Sequence, residues 1–389
     1  MAQAPESNVP HTSHPEPRTR VALVHDYLNQ YGGAERVLEE LHALYPEAPV
    51  YTSMYWPARM SKIIRSLDVR TSFMQRLPLV RRNHQPFLLL YPLAFESFDL
   101  SEYDVVISNS SAFCKGVVTP PRTLHICYCL TPMRWVWNYH DYVERERLGA
   151  AVRLVLPAAI SRLRTWDVAT AQNVDRFLAI SRTVAARIRK YYRREATVIY
   201  PPVNTQAFTP QPERVGDYYL IVSRLIPYKR IDLAVDAFTL LGLPLKIVGS
   251  GGRAEPALRA RAGRNVEFVG RVTDAELNEL YARCRAFVFP GEEDFGIAPL
   301  EANASGRPVL AYAAGGALDT VADGHTGVLF GDQRVECLIE AVKRMETLHW
   351  DAAALRAHAE KFDRRVFLDQ VRQFIDESAA AHAEGARFA

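Results

Sequence analysis

The chain has 389 residues, of which 48% are hydrophobic and 23% are charged. These fractions are those of an ordinary globular protein, so they exclude a disordered or fibrous chain, and the length predicts two domains. The net charge is only +3, and no recognised binding module accompanies the basic residues, so nucleic acid is not an expected partner.

The first segment, 1–17, is rich in Pro, His, Ser and Glu and lacks the basic start and apolar stretch of a secretion signal. We expect a disordered tail there. The longest apolar run of the front half, 87–95, is about half as long as a membrane-spanning helix and contains Pro92. No transmembrane helix is therefore predicted.

Five cysteines are scattered along the chain, and their spacing fits neither a disulfide framework nor a paired zinc motif. A reducing cytoplasm is the simplest compartment for them. His125, Cys127 and Cys129 share one face of a predicted strand, but a fourth metal ligand is not apparent. We therefore expect buried strand residues there and no metal site.

Short apolar runs alternate with amphipathic stretches along the chain, which is typical of parallel sheets covered by helices. A first strand over 20–25 precedes a helix over 35–44. Further elements of the front half are strands at 104–108, 124–128 and 177–181 and a basic helix over 182–194.

Basic and apolar residues are interleaved between 59 and 95. Such a mixture suits the surface of an anionic membrane. A solvated helix face that packs on its own domain explains the same pattern, and both interpretations stay open. The residues concerned are Arg59, Lys62, Ile63, Ile64, Arg65, Arg70, Phe73, Met74, Arg76, Leu77, Leu79, Val80, Arg81, Arg82 and Phe87.

The rear half repeats the alternation six times and predicts a doubly wound parallel sheet. A turn-rich stretch over 200–212 marks the link between the halves, and a last helix is expected from about 365 to 380. The six rear strands are predicted at 218–222, 245–248, 266–269, 286–289, 308–311 and 327–330.

Gly32 and Gly33 lie between the first strand and its helix. A glycine pair there lets the backbone approach an anion at the helix N-terminus, although a plain tight turn explains it equally well. The chain has no G-x-G-x-x-G in this position, which counts against a nicotinamide dinucleotide.

Two cations follow the first rear strand, Arg224 and Lys229. Arginine can bind phosphate oxygens bidentately and lysine adds a mobile charge, so the pair suits a diphosphate without a metal. A loop with solvated charges is the alternative.

The most specific pattern is Glu293-Asp-Phe-Gly-Ile-Ala-Pro-Leu-Glu301. A strand ends just before it, and a helix is predicted to begin at Gly296, so backbone amides lie near phosphate and Glu301 within reach of ribose hydroxyls. Two carboxylates could also serve glycoside hydrolysis. Beside two phosphate-binding cations, recognition of sugar hydroxyls is the better interpretation.

Together these features resemble the retaining, family 4 glycosyltransferases of the GT-B fold, over nearly the whole chain after the tail. The matching residues are Gly32-Gly33-Ala-Glu35, Val198-Ile-Tyr-Pro-Pro-Val-Asn204 with Phe208, Arg224 with Lys229, Val248-Gly-Ser-Gly251, Phe268-Val-Gly-Arg-Val272 and the two glutamates.

The resemblance implies an α/β protein with two Rossmann-like, doubly wound domains that face a central cleft. The acceptor-binding domain would be 18–203, completed by a C-terminal helix over 365–389, and the nucleotide-sugar-binding domain 204–364. No divalent metal or other cofactor is implied.

The resemblance also implies roles for individual residues. Arg224 and Lys229 would hold the diphosphate, Glu301 the ribose, Glu293 the donor sugar and the backbone near Val272 the base. Catalytic roles are expected for Glu293, Lys229 and Arg224. The complete donor-binding set is Gly32, Gly33, Arg224, Lys229, Val272, Glu293, Phe295, Gly296, Ile297 and Glu301.

The front half is most similar to bacterial enzymes that add mannose to lipid-linked O-antigen and exopolysaccharide precursors, through His25-Asp-Tyr-Leu and Thr131-Pro-Met-Arg-Trp135. This similarity implies GDP-mannose as donor, a lipid-linked saccharide as acceptor and a location on the inner face of the membrane. Relatives carry His where this chain has Leu130. Arg134, His140 and Asp141 are the acceptor-side candidates.

Several alternatives remain at this point. A UDP- or dTDP-sugar-dependent enzyme of the same family differs only in the donor. A sugar-nucleotide epimerase shares paired Rossmann-like domains but lacks the combination of Arg224, Lys229, Glu293 and Glu301. A phosphorylase would carry a pyridoxal-phosphate lysine signature, which the sequence lacks, and a non-catalytic nucleotide-binding module is a further class.

Overall fold

The computed structural model describes residues 19–138, 150–252 and 254–386, so the predicted tail lies outside the described residues. The front domain is built on a parallel sheet with the strand order β3-β2-β1-β4-β5-β6-β7. Apolar side chains pack against both faces of this sheet. Its strands are β1 (Val21–His25), β2 (Val50–Thr52), β3 (Val69–Thr71), β4 (Val105–Ser110), β5 (Leu124–Cys129), β6 (Arg176–Ala179) and β7 (Thr197–Val198).

The rear domain is built on a second parallel sheet, with the order β10-β9-β8-β11-β12-β13. Both sheet orders step outward from a central first strand in two directions, as in doubly wound folds. The rear strands are β8 (Tyr219–Val222), β9 (Leu245–Val248), β10 (Val266–Gly270), β11 (Phe287–Phe289), β12 (Val309–Tyr312) and β13 (Gly327–Phe330).

Helices cover both sheets, and several are capped at their N-terminus by a side chain. Ser181 accepts a hydrogen bond from Val184 N, and Thr273 forms a capping box with Glu276. The helices are α1 (Gly33–Leu44), α2 (Lys62–Ser66), α3 (Tyr91–Glu96), α4 (Arg134–Trp137), α5 (Ala150–Thr170), α6 (Arg182–Tyr192), α7 (Ile231–Leu241), α8 (Glu255–Arg261), α9 (Asp274–Arg283), α10 (Ile297–Ala304), α11 (Ala317–Thr320), α12 (Val335–Thr347), α13 (Ala352–Glu360) and α14 (Arg364–Ala386).

All six predicted rear strands and the four predicted front strands are present, with ends shifted by one or two residues. The prediction omitted β2, β3 and β7. Each of these strands has only two or three residues, too few for an apolar pattern to stand out.

The two connections between the domains lie side by side. Val203 N donates to Phe362 O at 3.0 Å, and Arg364 N donates to Val203 O at 3.0 Å. After the second connection, α14 packs on α1 and β5 of the front domain. No helix in the described part of the chain is long and apolar enough to cross a bilayer.

Candidate active site between the domains

Two adjoining cavities, of about 740 and 1020 Å³, lie between the domains at the carboxyl ends of the strands. This is the position at which doubly wound folds bind ligands. All ten predicted donor-binding residues line the smaller cavity, which we call the donor cavity. The larger cavity is lined on the front side by the loop after β1 and is called the acceptor cavity.

The glycine turn between β1 and α1 contributes to both cavities. Gly32 is the N-cap of α1. Beneath the turn, the buried pair His25 and Glu35 brings Nε2 within 3.5 Å of Oε1. Asn109 Nδ2 lies 3.2 Å from His25 Nδ1 and donates to Ala34 O at 2.8 Å, so the backbone at the cavity wall is fixed from below.

Asp26 organises the neighbouring wall of the acceptor cavity. Its buried carboxylate accepts hydrogen bonds from four successive backbone N–H groups after β4, those of 111–114, at 2.6–3.0 Å. Hydrogen bonds from N–H groups to a carboxylate are charge-assisted and stronger than those between neutral groups. The role of Asp26 is therefore to hold this loop in shape.

The two predicted cations lie on the loop after β8. Arg224 is exposed and lines both cavities, and its Nη2 donates to Tyr228 OH at 3.5 Å. Lys229 is 14% exposed, and its Nζ forms an ion pair with Glu293 Oε1. The structure thus brings the cation loop and the first glutamate into direct contact.

Gly296 lets the second signature segment enter α10. Its φ is +91°, and a β-carbon there would lie 2.7 Å from the ring of Phe289. Only glycine adopts this conformation at so close an approach. The turn places Glu293 before α10 and Glu301 within it, both at the donor cavity.

Glu301 is nearly buried, and both of its carboxylate oxygens have partners. Oε1 accepts from Arg36 Nη1 of the front domain at 3.3 Å, and Oε2 accepts from Tyr281 OH at 2.9 Å. Burial raises the pKa of Tyr281 well above its usual value, and the adjacent carboxylate raises it further. Tyr281 is therefore a permanent hydrogen-bond donor to Glu301.

The structure describes one of the three acceptor-side candidates, Arg134. Arg134 lines the donor cavity, and its Nη2 lies 2.6 Å from Asp294 Oδ1. Leu130 lines the same cavity. His140 and Asp141 lie outside the described residues.

Sequence reasoning missed three residues that contact the signature segment: Arg36, Tyr281 and Arg187. Arg36 and Tyr281 meet Glu301, and Arg187 forms ion pairs with Glu292 and Asp294. Their partners are 20 to 265 positions away, so no local pattern could have found them.

The strand residue His125 is fully buried, and its Nε2 lies 2.9 Å from Ser108 Oγ. Burial lowers its pKa to about 4, so the ring is neutral near pH 7. Within 19–138, 150–252 and 254–386, no three His, Cys, Asp or Glu side chains are grouped as metal ligands.

Two family models match the chain. The model described as Glycosyltransferase Family 4 matches residues 31–207, and the model described as Glycosyl transferases group 1 matches residues 207–362. The two matches meet at the link between the domains.

Curated relatives include O-antigen chain mannosyltransferase C of Escherichia coli, which is 29% identical over 54% of this chain and 59% of its own length. A GDP-mannose-dependent alpha-(1-6)-phosphatidylinositol monomannoside mannosyltransferase of Mycolicibacterium smegmatis is 29% identical over 48% and 56%. The chain spans only 50%, 59% and 63% of the length of the first three curated relatives.

Among solved structures, Anabaena HepE in complex with UDP and glucose superposes with a TM-score of 0.70 at 18% identity, over 92% of this chain and all of its own. A likeness at this identity concerns the fold. The two family matches and the paired Rossmann-like domains together show that the chain belongs to the family 4 glycosyltransferases of the GT-B fold.

Proposed function

We propose that the chain is a retaining hexosyltransferase that moves mannose from GDP-mannose to a lipid-linked or polysaccharide-precursor saccharide. One observation carries the proposal: a single cavity between the domains unites Arg224 and Lys229 with Glu293 and Glu301. Cations for a diphosphate and carboxylates for sugar hydroxyls are the groups that a nucleotide sugar requires.

The choice of donor rests on the relatives. The relative from Mycolicibacterium smegmatis is a GDP-mannose-dependent mannosyltransferase, and the relative from Escherichia coli is an O-antigen chain mannosyltransferase. Anabaena HepE instead binds UDP. A UDP-sugar is therefore the second candidate donor for this chain.

The proposed chemistry needs no protein base. The bond between the anomeric carbon and the donor phosphate breaks, and the acceptor oxygen bonds to that carbon on the face from which the diphosphate leaves. The acceptor proton passes to the departing phosphate oxygen. Arg224 and Lys229 stabilise the charge that grows on the diphosphate, so the protein supplies mainly position and electrostatics, without a metal or cofactor.

A nonpolar residue at position 130 is compatible with this scheme. Leu130 can neither accept a proton nor hydrogen-bond a sugar, yet it lines the donor cavity. Glu293 and its partner Lys229 lie on the same cavity and can bind sugar hydroxyls and phosphate once a donor enters.

We further propose that the protein works in the cytoplasm, at the inner face of the membrane, where its lipid-linked acceptor lies. Of the basic and apolar segment, Ile64, Met74 and Val80 pack inside the front domain, whereas other apolar residues point outward. The exposed apolar side chains are Ile63, Phe73, Leu79, Leu89 and Leu93. The exposed basic side chains are Arg59, Lys62, Arg65, Arg70, Arg76, Arg81 and Arg82.

Leu79 is the most exposed of these apolar side chains. It is 73% exposed and has a φ of +59°, a left-handed conformation that a leucine adopts only at a cost of about 1 kcal/mol or more. Arg82 N and Asn83 N both donate to Leu79 O at 2.9 Å, so a hydrogen-bonded turn holds this conformation and presents the side chain outward. Insertion of the leucine into an acyl layer beside Arg81 and Arg82 would bury its apolar surface.

Flotation tests the membrane proposal. The protein should float with phosphatidylglycerol-containing vesicles at low salt, less so at high salt, and not with pure phosphatidylcholine. Leu79→Asp should weaken flotation. Leu240→Asp is the matched control, because Leu240 is equally exposed, at 73%, on the rear domain. Absence of binding at low salt, or equal loss in both variants, would remove the proposal.

Thermal protection by GDP-, UDP- and dTDP-sugars, followed by incubation of each with and without saccharide acceptor, tests the catalytic proposal. Protection by GDP-mannose and glycoside formation are expected. An epimerised donor would indicate an epimerase, and protection without any turnover would indicate a binding module.

A further inference from the structure

The loop between β11 and α10 carries two adjacent carboxylates that point to different partners. Glu293 reaches Lys229 within the rear domain and lines both cavities. Asp294 faces the front domain, with a side chain only 16% exposed, and the residue also lines the donor cavity. The loop that presents Glu293 is therefore also a contact between the domains.

Two arginines of the front domain converge on Asp294. Arg134, from α4, places Nη2 at 2.6 Å from Asp294 Oδ1, and Arg187, from α6, donates to the same oxygen. Arg187 Nη2 also lies 3.2 Å from Glu292 Oε1. Because the side chains of Arg187 and Asp294 are largely buried, the attraction between them is screened less than in a surface pair.

Arg134 touches the other loop of the site as well. Its guanidinium lies 5.6 Å from the ring centre of Tyr228, the residue before Lys229. One front-domain side chain thus contacts the loop that carries Lys229 and the loop that carries Glu293.

The opposite side of the loop is held by the rear domain. Gly316 N donates to Glu293 O at 2.8 Å. Gly315 has a φ of +62°, and the backbone of Glu293 and Phe295 leaves no room for a β-carbon on either glycine. The main chain at Glu293 is fixed from behind by the glycine turn and from the front by Asp294.

We infer that Asp294 is a positioning residue, which uses Arg134 and Arg187 to fix the Glu293 carboxylate when the front domain docks. If the domains separate, Asp294 loses both cations and the loop keeps only its rear support. Glu293 is then correctly placed only in the docked arrangement. This inference rests on the proposed function for its effect on turnover.

A second interdomain carboxylate provides a matched control. Asp319, on α11, is 1% exposed and accepts from Arg182 Nε and from Tyr200 OH. It does not line the donor or acceptor cavity. Asp319→Asn weakens docking in general, whereas Asp294→Asn removes the link to Glu293.

The kinetic test compares kcat and the donor KM of the full chain. Asp294→Asn should lower kcat about tenfold to a hundredfold, as expected when a reacting group is misplaced. The Kd of GDP should stay nearly unchanged, because the diphosphate and ribose contacts lie elsewhere. Asp294→Glu should recover part of kcat, and Asp319→Asn should lose much less.

Arg187→Gln removes the front-domain partner of Asp294 and provides a second test of the contact if Asp294→Asn fails to fold. Its effect should add only in part to that of Asp294→Asn, because both variants remove the pair of Arg187 with Asp294 and each also removes one further contact, with Glu292 or with Arg134. A wild-type kcat in either variant, or an equal loss of kcat in Asp319→Asn, would overturn the inference.

Hydrogen exchange gives a readout that does not depend on catalysis. The amides of 291–296 should exchange faster in Asp294→Asn than in the wild type or in Asp319→Asn. Unchanged exchange would overturn the positioning role even in a protein with no transferase activity. Wild-type protein that is inactive with every nucleotide sugar would instead refute the proposed function alone.

Discussion

Arg36 of the front domain lies 3.3 Å from Glu301 of the rear domain, measured from Nη1 to Oε1. Since Tyr281 occupies the other oxygen, the carboxylate expected to bind ribose is already paired on both sides. In the proposed function, a ribose hydroxyl that binds Glu301 shares or replaces the Arg36 contact. The proposal therefore predicts that nucleotide binding and the contact between the domains are coupled through Glu301.

Replacement of Glu301 should weaken donor binding strongly. In Glu301→Ala the ribose loses a charged hydrogen-bond acceptor, a change of about 1.5 to 3 kcal/mol in binding free energy. Calorimetry with GDP measures it directly. An unchanged affinity would show that Glu301 does not bind the ribose.

Tyr281→Phe should also weaken GDP binding, but by less. The hydroxyl that holds Glu301 Oε2 is removed while the buried ring remains, and the carboxylate gains freedom. We expect a loss of about 1 kcal/mol in binding. We expect weaker GDP binding together with a melting temperature close to that of the wild type. Unchanged GDP binding together with a lowered melting temperature would make Tyr281 purely structural.

Arg224→Ala and Lys229→Ala should depress transfer more than folding, because both side chains meet charge that grows as the diphosphate leaves. Lys246→Ala is the control. Lys246 pairs with Glu267 at 3.4 Å on the rear sheet and does not line either cavity. If activity and melting temperature collapse together in the cation variants, a structural role is indicated instead.

The rear sheet was predictable because its strands are short apolar runs bounded by turns. The glutamate signature was equally visible, since Gly296 and the two carboxylates lie within one segment. The partners of those carboxylates were not. Arg36 and Glu301 are 265 positions apart, as Arg187 and Asp294 are 107 apart, and only the docking of two domains brings such residues together.

The protein should become less stable as the pH is lowered, because burial lowers the pKa of His125 in the folded state. The unfolded ring takes up a proton below about pH 6.5, whereas burial holds the folded pKa near 4, so acid favours the unfolded state. The stabilisation is present above pH 6.5 and is lost between pH 6.5 and 4, by up to about 3 kcal/mol. Melting temperatures measured across this range should decline less steeply in His125→Gln.

His140 and Asp141 should be of minor importance for turnover. If the departing phosphate takes the acceptor proton, His140→Ala and Asp141→Ala reduce kcat by less than Glu293→Ala or Lys229→Ala does. Steady-state kinetics of the four variants decide this. Near-complete inactivation by His140→Ala would show that a protein base replaces the family histidine at Leu130.

The configuration of the product tests the central claim most directly. GDP-mannose, an α-linked donor, is incubated with the protein and a lipid-linked saccharide, and NMR follows the anomeric signals of the new glycoside. Transfer with attack on the face that the diphosphate leaves predicts an α-linked product from the first turnover. A β-linked product would contradict the retaining mechanism, and the absence of any glycoside with GDP-, UDP- or dTDP-sugars would contradict the proposed transfer itself.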